Sequence, residues 1–252
     1  MAAVCCFLIP ATSNADLVSA GDIAFIGFNA DGNDDFAIVL LANAAPGTVV
    51  HFNDNEWNGS SIIGTESAVS WTVDGTGLSA GTVVTFNSIR TSPSVSSGTL
   101  SGQTMSLSAG DTIYAFLGTD EVTPTTFLAA ISNNASDYDG PTGTLTGTGL
   151  TQGTTAVLLP PNGTNLAHGG QYTAARAGAA SFSDYVALIG NPSTNWSVSS
   201  TDGAQFVPFN TTSFQVTSAA TPEPAGLSLM LLAAALSALC HRFRCSQSRR
   251  NR

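Results

Sequence analysis

Between residues 16 and 220 short runs rich in Val, Ile, Phe and Thr alternate with clusters of Gly, Asn, Asp, Ser and Pro, and nowhere does a long amphipathic period of 3.6 develop. Such a rhythm leaves room for strands and turns and little else, because turn residues return before a helix can complete three turns. It predicts strands over 22–28, 36–41, 48–52, 68–73, 82–86, 112–117, 154–159 and 214–216. The one helix signal covers 182–189, where Ser181 or Ser183 stands in N-cap position and Gly190-Asn191-Pro192 stops the run. The runs 21–28 and 36–41 are apolar on both faces and belong at the centre of a sheet, whereas 82–86 alternates and suits a sheet with one wetter face. Trp71, alternating with Val73, reads as buried. The expected fold class is all-β: a single β-sandwich domain over 16–220.

Two near-repeats support this reading. Residues 45–53 resemble 80–87, and Ser19-Ala20-Gly21-Asp22 returns as Ser108-Ala109-Gly110-Asp111, each a glycine turn feeding a strand. Their spacing is irregular, so they mark recurring turn chemistry rather than a solenoid or a propeller.

The segment 16–220 contains no cysteine, since Cys5, Cys6, Cys240 and Cys245 all lie outside it. No disulfide can staple it, and its stability must come from a core, which about 200 residues suffice to build. It also contains no lysine. Arg90 and Arg176 stand against sixteen carboxylates, a net charge of −14. With almost nothing to neutralise phosphate or sulfate, the segment is not expected to bind nucleic acid, an anionic lipid surface or a polyanionic polysaccharide.

The chain ends differently. Pro222-Glu223-Pro224 precedes an uncharged run over 225–240, whose membrane-anchor positions include Ala225, Leu229, Leu232, Leu236 and Leu239. A basic tail follows with Arg242, Arg244, Arg249, Arg250 and Arg252. At about 1.5 Å per residue the apolar run spans roughly 24 Å as a helix, short of the ~30 Å hydrocarbon core unless His241 and the first arginines snorkel. The positive-inside rule puts the arginines in the cytoplasm and residues 1–222 outside the inner membrane. A Pro-Glu-Pro motif, a membrane helix and an Arg-rich tail in this order resemble the PEP-CTERM sorting signal of Gram-negative bacteria. The resemblance implies an exosortase-type processing enzyme as partner, transient anchoring in the inner membrane, and delivery to the cell surface or extracellular matrix. At the other end, residues 1–10 are apolar and Ser13-Asn14-Ala15 offers small residues to a signal peptidase. A signal peptide over 1–15 is therefore expected, although it lacks the usual positive n-region. The three segments are thus 1–15, 16–220 and 221–252.

A second resemblance rests on Gly21-Asp22-Ile23-Ala24-Phe25-Ile26-Gly27-Phe28, the acidic residues that follow, and Gly47-Thr48-Val49-Val50-His51-Phe52-Asn53-Asp54-Asn55-Glu56-Trp57. This opening is similar to that of bacterial lamin-tail-like domains. It implies an immunoglobulin-like sandwich and an adhesive or structural class of role.

The one constellation with ligand chemistry is the loop bearing Asn29, Asp31, Asn33, Asp34 and Asp35 around Gly32. Ca²⁺ takes six to eight oxygens, and Asp31, Asn33, Asp34 and Asp35 are its candidate ligands. No glutamate closes the loop as in an EF-hand, and Asn, Asp and Gly are also what tight turns use, so both readings stay open. Asn53-Asp54-Asn55-Glu56 is a second acidic cluster, and Asp137 with Asp139 a third. Trp57, at the edge of an acidic loop, is the aromatic best placed to meet a ligand.

Catalytic arrangements are thin. There is no Gly-x-Ser-x-Gly, no His-Glu-x-x-His and no phosphate-cradling loop. His51 reads as a satisfied mid-strand histidine and His168 as a loop residue. The expectation is an exported structural or adhesive protein that is not an enzyme and holds no cofactor beyond possible Ca²⁺. The alternatives are a calcium-dependent module that binds an extracellular polysaccharide or protein, and a secreted hydrolase built on two carboxylates.

Overall fold

In a computed structural model, residues 16–108, 110–134, 138–140, 143–160 and 166–217 are described. The expected signal peptide over 1–15, the Pro-Glu-Pro motif, the anchor over 225–240 and the arginine tail lie outside the described residues, as does Asp137. No helix among the described residues is long and apolar enough to cross a membrane.

The described residues are mostly β. One six-stranded sheet contains β1 (Ile23–Asn29), β2 (Asp35–Leu40), β7 (Val83–Asn87), β8 (Ser94–Val95), β15 (Gly169–Tyr172) and β16 (Trp196–Ser199), in the order β16-β15-β1-β2-β7-β8. The other contains β3 (Val49–Asn53), β6 (Ala68–Thr72), β9 (Thr99–Gly102), β10 (Thr112–Gly118), β11 (Pro124–Ser132) and β14 (Ala156–Leu158), in the order β14-β11-β10-β3-β6-β9. Two small hairpins, β4 (Glu56–Trp57) with β5 (Ile62–Ile63) and β12 (Asp139–Gly140) with β13 (Gly143–Thr144), complete the strands. Pairing within the large sheets is antiparallel except between β11 and β14.

An aromatic cluster joins the two sheets. Phe25, Phe36 and Phe86 of the first meet Phe52 and Trp71 of the second, and none of the five is exposed. Phe36 stacks on Phe86, its partner in register, with ring centroids 4.4 Å apart, and Phe52 lies 4.9 Å from Phe36 and 4.8 Å from Phe86. The Trp71 indole donates to the Ser97 carbonyl at 2.8 Å, so even its polar atom is satisfied. Contacts of this kind add about 0.5–1.5 kcal/mol each beyond area burial. They are how a domain without disulfides holds together.

Both sheets are also covered on their outer faces. Over the second, Trp57, Tyr114, Phe116, Phe127 and Tyr138 form a smaller apolar cluster. Its polar tips are capped by backbone carbonyls: the Trp57 indole donates to Thr146, and the Tyr114 hydroxyl to Thr144. Over the first, residues 203–217 and helix α1 (Asp184–Ile189) lie on β1 and β15. Gly27 permits this approach, since a Cβ there would stand 2.6 Å from the Phe209 ring, and at Gly169 it would stand 2.7 Å from that of Phe206. Arg176 holds the segment down. It is buried, donates from Nη1 to the carbonyls of Asn210 and Thr212 at 2.9 Å each, and lies 4.9 Å from the centre of the Phe214 ring.

Seven of the eight expected strands are present. The eighth differs: residues 214–216 form no strand, bonding instead to Gly81 and Arg176 with an isolated bridge from Val216 to Ala179, while Phe214 plugs against Tyr172 and Tyr185. The nine-residue β11 was not anticipated, since it opens with Pro124 and its Thr125-Thr126 reads as turn. β7 alternates as expected: Val84 and Phe86 are wholly buried, whereas on the other face Val83 and Asn87 are half-buried around Thr85, whose N–H donates to Ser96 Oγ at 2.9 Å. The expected helix is found as α1. Ser183 sits at its N-cap but makes no capping bond, and the Asp184 carboxylate instead accepts from the Ser181 N–H. The paired Ser-Ala-Gly-Asp turns behave alike: Asp22 accepts from the Ser19 N–H at 2.7 Å and Asp111 from the Ser108 N–H at 2.5 Å, with Gly21 and Gly110 both at positive φ.

Candidate functional site

Three neighbouring strands of the first sheet end in one row. Asn29 of β1 pairs with Gly169 of β15, and Gly169 pairs with Ser199 of β16. Whatever follows Asn29, precedes Gly169 and follows Ser199 must therefore gather at the same end of the sandwich. Those residues are Asp31, His168 and Asp202. The ladder continues one step into them, for the Ala30 N–H donates to the His168 carbonyl at 2.9 Å and the His168 N–H to the Ser199 carbonyl at 2.8 Å. With both backbone groups engaged, the His168 main chain is fixed at this end of the sheet.

His168 Nδ1 lies 3.3 Å from Asp31 Oδ1 and 3.8 Å from Asp202 Oδ1. The three side chains form the one such group of metal-capable His and carboxylate residues found among the described residues. Asp31 is buried while Asp202 is fully exposed, so the group opens to solvent on one side. Asp31 Oδ2 is also buried but has no hydrogen-bond partner. Asn29, wholly buried, supports the group from below. Its side-chain amide donates to the Asp31 carbonyl at 2.8 Å and to Gln205 Oε1 at 3.3 Å, and its Oδ1 accepts from the Phe206 N–H.

The four candidate calcium ligands point in different directions. Asp31 faces His168, while Asp34 turns inward and accepts from the Leu107 N–H at 2.9 Å. Asp35 accepts from the Ser88 N–H at 2.8 Å, and Asn33 Oδ1 from the Thr91 hydroxyl at 3.4 Å. The loop thus ties three separate segments to the end of the sheet.

Asp34 is one of several buried carboxylates here. Burial pushes it up to about 6 against the Leu107 hydrogen bond, and burial likewise raises Asp111 to about 6. Asp54 is the extreme case. It is 4% exposed, its Oδ1 has no partner, and burial followed by the negative charges of Glu66, Asp111 and Glu56 raises it to about 8. Asn55, between Asp54 and Glu56, is spent on structure: its Oδ1 accepts from the Glu66 N–H at 2.7 Å.

On the outer face of the second sheet, His51, Ser70 and Glu121 make a chain whose order matters. The Ser70 hydroxyl donates to Glu121 Oε1 at 2.7 Å, and Ser70 Oγ lies 2.8 Å from His51 Nδ1. With its proton directed at Glu121, the hydroxyl can only accept from the imidazole. A histidine that donates to a serine does not act as its base. Burial also lowers His51, which favours the neutral ring. His51 is therefore a satisfied strand histidine, as its place between Val50 and Phe52 suggests.

Little of Trp57 is open to a ligand. It is 8% exposed and packs edge-on against Phe127 at 5.0 Å. It forms part of the floor of a shallow depression of about 380 Å³ that Pro124, Thr126 and Thr148 also line. A second depression of about 170 Å³ is lined by Gln152, Pro160, Asn191 and Ser193 among others. Neither has a carboxylate, histidine or arginine in its wall.

The sequence reading identified Asp31 but set His168 aside and passed over Asp202. Nothing local distinguishes either residue, a loop histidine before Gly169-Gly170 and an Asp-Gly turn. Only strand pairing unites them. Comparison with protein-family models, curated proteins and solved structures yields no match.

Proposed function

We propose that this chain is an exported protein whose β-sandwich is anchored briefly in the inner membrane, cut by an exosortase-type enzyme near Pro222-Glu223-Pro224, and passed to the cell surface or extracellular matrix. There it serves a structural or adhesive role and performs no catalysis. The observation that carries the reading is the order of the last thirty residues: the Pro-Glu-Pro motif, the uncharged run over 225–240, and five arginines. The finer expectations, a helical anchor and an immunoglobulin-like, lamin-tail-like fold, belong to the same proposal.

What supports the role is the use to which the domain puts its reactive groups. His51 and Ser70 satisfy each other, Asp34 and Asp35 brace backbone amides, and Arg176 is consumed in holding the C-terminal segment. The net charge of −14 over 16–220 suits a secreted, well-solvated surface.

The test is the intact mass of the protein recovered from its own cells, with inner-membrane, outer-surface and medium fractions compared. A chain ending near Pro224 outside the membrane fraction is the expected result. A full-length chain retained in the inner membrane overturns the sorting proposal.

A further inference from the structure

We propose that Asp31, His168 and Asp202 form a binding site for a divalent transition-metal ion, Zn²⁺ in particular. This goes beyond the surface role and does not rest on it. Four-coordinate zinc with bonds of about 2.0–2.2 Å to nitrogen and oxygen needs ligand atoms about 3.3–3.5 Å apart. The His168 Nδ1 to Asp31 Oδ1 separation, 3.3 Å, already has that value, and His168 Nδ1 to Asp202 Oδ1, 3.8 Å, exceeds it by a few tenths of an ångström. All three ligand atoms lie within 4.8 Å of one another, and Asp202, exposed in a turn, can close the remaining gaps by a side-chain rotation.

The second observation is the state of Asp31. The residue is 8% exposed, one oxygen faces His168, and the other is buried with no partner. A carboxylate so placed is costly unless a cation compensates it. Among the described residues neither Arg90 nor Arg176 makes an ion pair with it, and its charged neighbour is His168. A doubly charged ion satisfies both carboxylates and the imidazole together. The imidazole among the ligands selects zinc-like ions over Ca²⁺, which takes oxygen.

The support of the site is rigid where it must be. Asn29 holds the Asp31 backbone from a fully buried position in β1, and the ladder holds His168 on both sides. Asp202 is the adjustable ligand, and it arrives from the turn that opens the segment laid over the outer face of the first sheet. The ion would therefore tie that turn to the end of β1. Three protein ligands leave one position open to water or to a carboxylate or imidazole from a partner molecule.

The experiment is a Co²⁺ titration of the full chain in detergent, freed of metal with chelator, with the four cysteines blocked by N-ethylmaleimide because thiolates bind the same ions. The expected result is the visible absorption of tetrahedral Co²⁺, saturating at one ion per chain, abolished by stoichiometric Zn²⁺ and unaffected by Ca²⁺. His168→Ala and Asp202→Asn each weaken binding about tenfold or more while leaving tryptophan emission native. Asp202→Asn is the safeguard, since its exposed side chain has no part in folding. An absent cobalt band overturns the site, as does a band unchanged in both variants. Displacement by Ca²⁺ with no dependence on His168 would place a hard-cation site elsewhere in the acidic loops and equally refute this one.

Discussion

Asp54 supplies the sharpest test of how this acidic domain is built. A carboxyl that ionises near 3.8 in the unfolded chain and at about 8 in the folded one binds its proton more tightly when folded. Its contribution to stability is complete below the unfolded value and is lost as pH rises toward the folded one. At 1.36 kcal/mol per pH unit, the interval from about pH 5 to about pH 8 removes about 4 kcal/mol. Solvent relaxation around a site near the end of the sandwich reduces this, and the expected loss is about 2–3 kcal/mol. Asp34 and Asp111, each raised to about 6, and Glu66, raised as well, act in the same direction, so the chain should be distinctly more stable in mild acid than in mild base. Asp54→Asn keeps the shape and removes the charge. Urea denaturation, followed by the emission of the buried Trp57, Trp71 and Trp196 across this pH range, should give a variant about 2–3 kcal/mol less pH-sensitive than the parent and more stable at the alkaline end. A parent whose midpoint stays flat or rises with pH would refute the reasoning, and so would a variant whose pH slope equals the parent's.

Two further predictions concern the cover on the first sheet. Gly27→Ala places a methyl 2.6 Å from the Phe209 ring and should cost about 1–3 kcal/mol. Combined with Phe209→Ala it should show a favourable coupling of at least about 1 kcal/mol in a double-mutant cycle by urea denaturation, whereas simple additivity would contradict the contact. Arg176→Ala leaves the carbonyls of Asn210 and Thr212 without their donor and should destabilise by about 2–4 kcal/mol. Limited proteolysis should then cut first within 203–217, and cleavage elsewhere would show that Arg176 is not the clamp.

Much of the fold was legible because strand signals are local. Val, Ile, Phe and Thr runs punctuated by Gly, Asn and Asp place seven strands to within a residue or two, and β1 and β2, apolar but for Asn29 and Asp35 at their ends, do lie inside their sheet. β11 escaped because its first three residues, Pro124-Thr125-Thr126, use turn chemistry. β15 escaped because Gly169-Gly170 carries no strand propensity and is tolerated where Phe206 must approach. Phe214 read as part of a strand because a plugging aromatic and a strand aromatic look the same in sequence.

The candidate site divides along the same line. Composition alone determined that the segment 16–220 is acidic, free of cysteine and lysine, and rich in turns whose Asn and Asp side chains offer oxygen. Those are properties of residues counted or read in short windows, and they need no partner. Which carboxylates meet was decided only by the tertiary structure: Asp31 joins His168 and Asp202 across separations of 137 and 171 residues, while its neighbours Asp34 and Asp35 turn to Leu107 and Ser88. Strand register sets those encounters. It depends on hydrogen bonds between segments far apart in the chain, which no local pattern records.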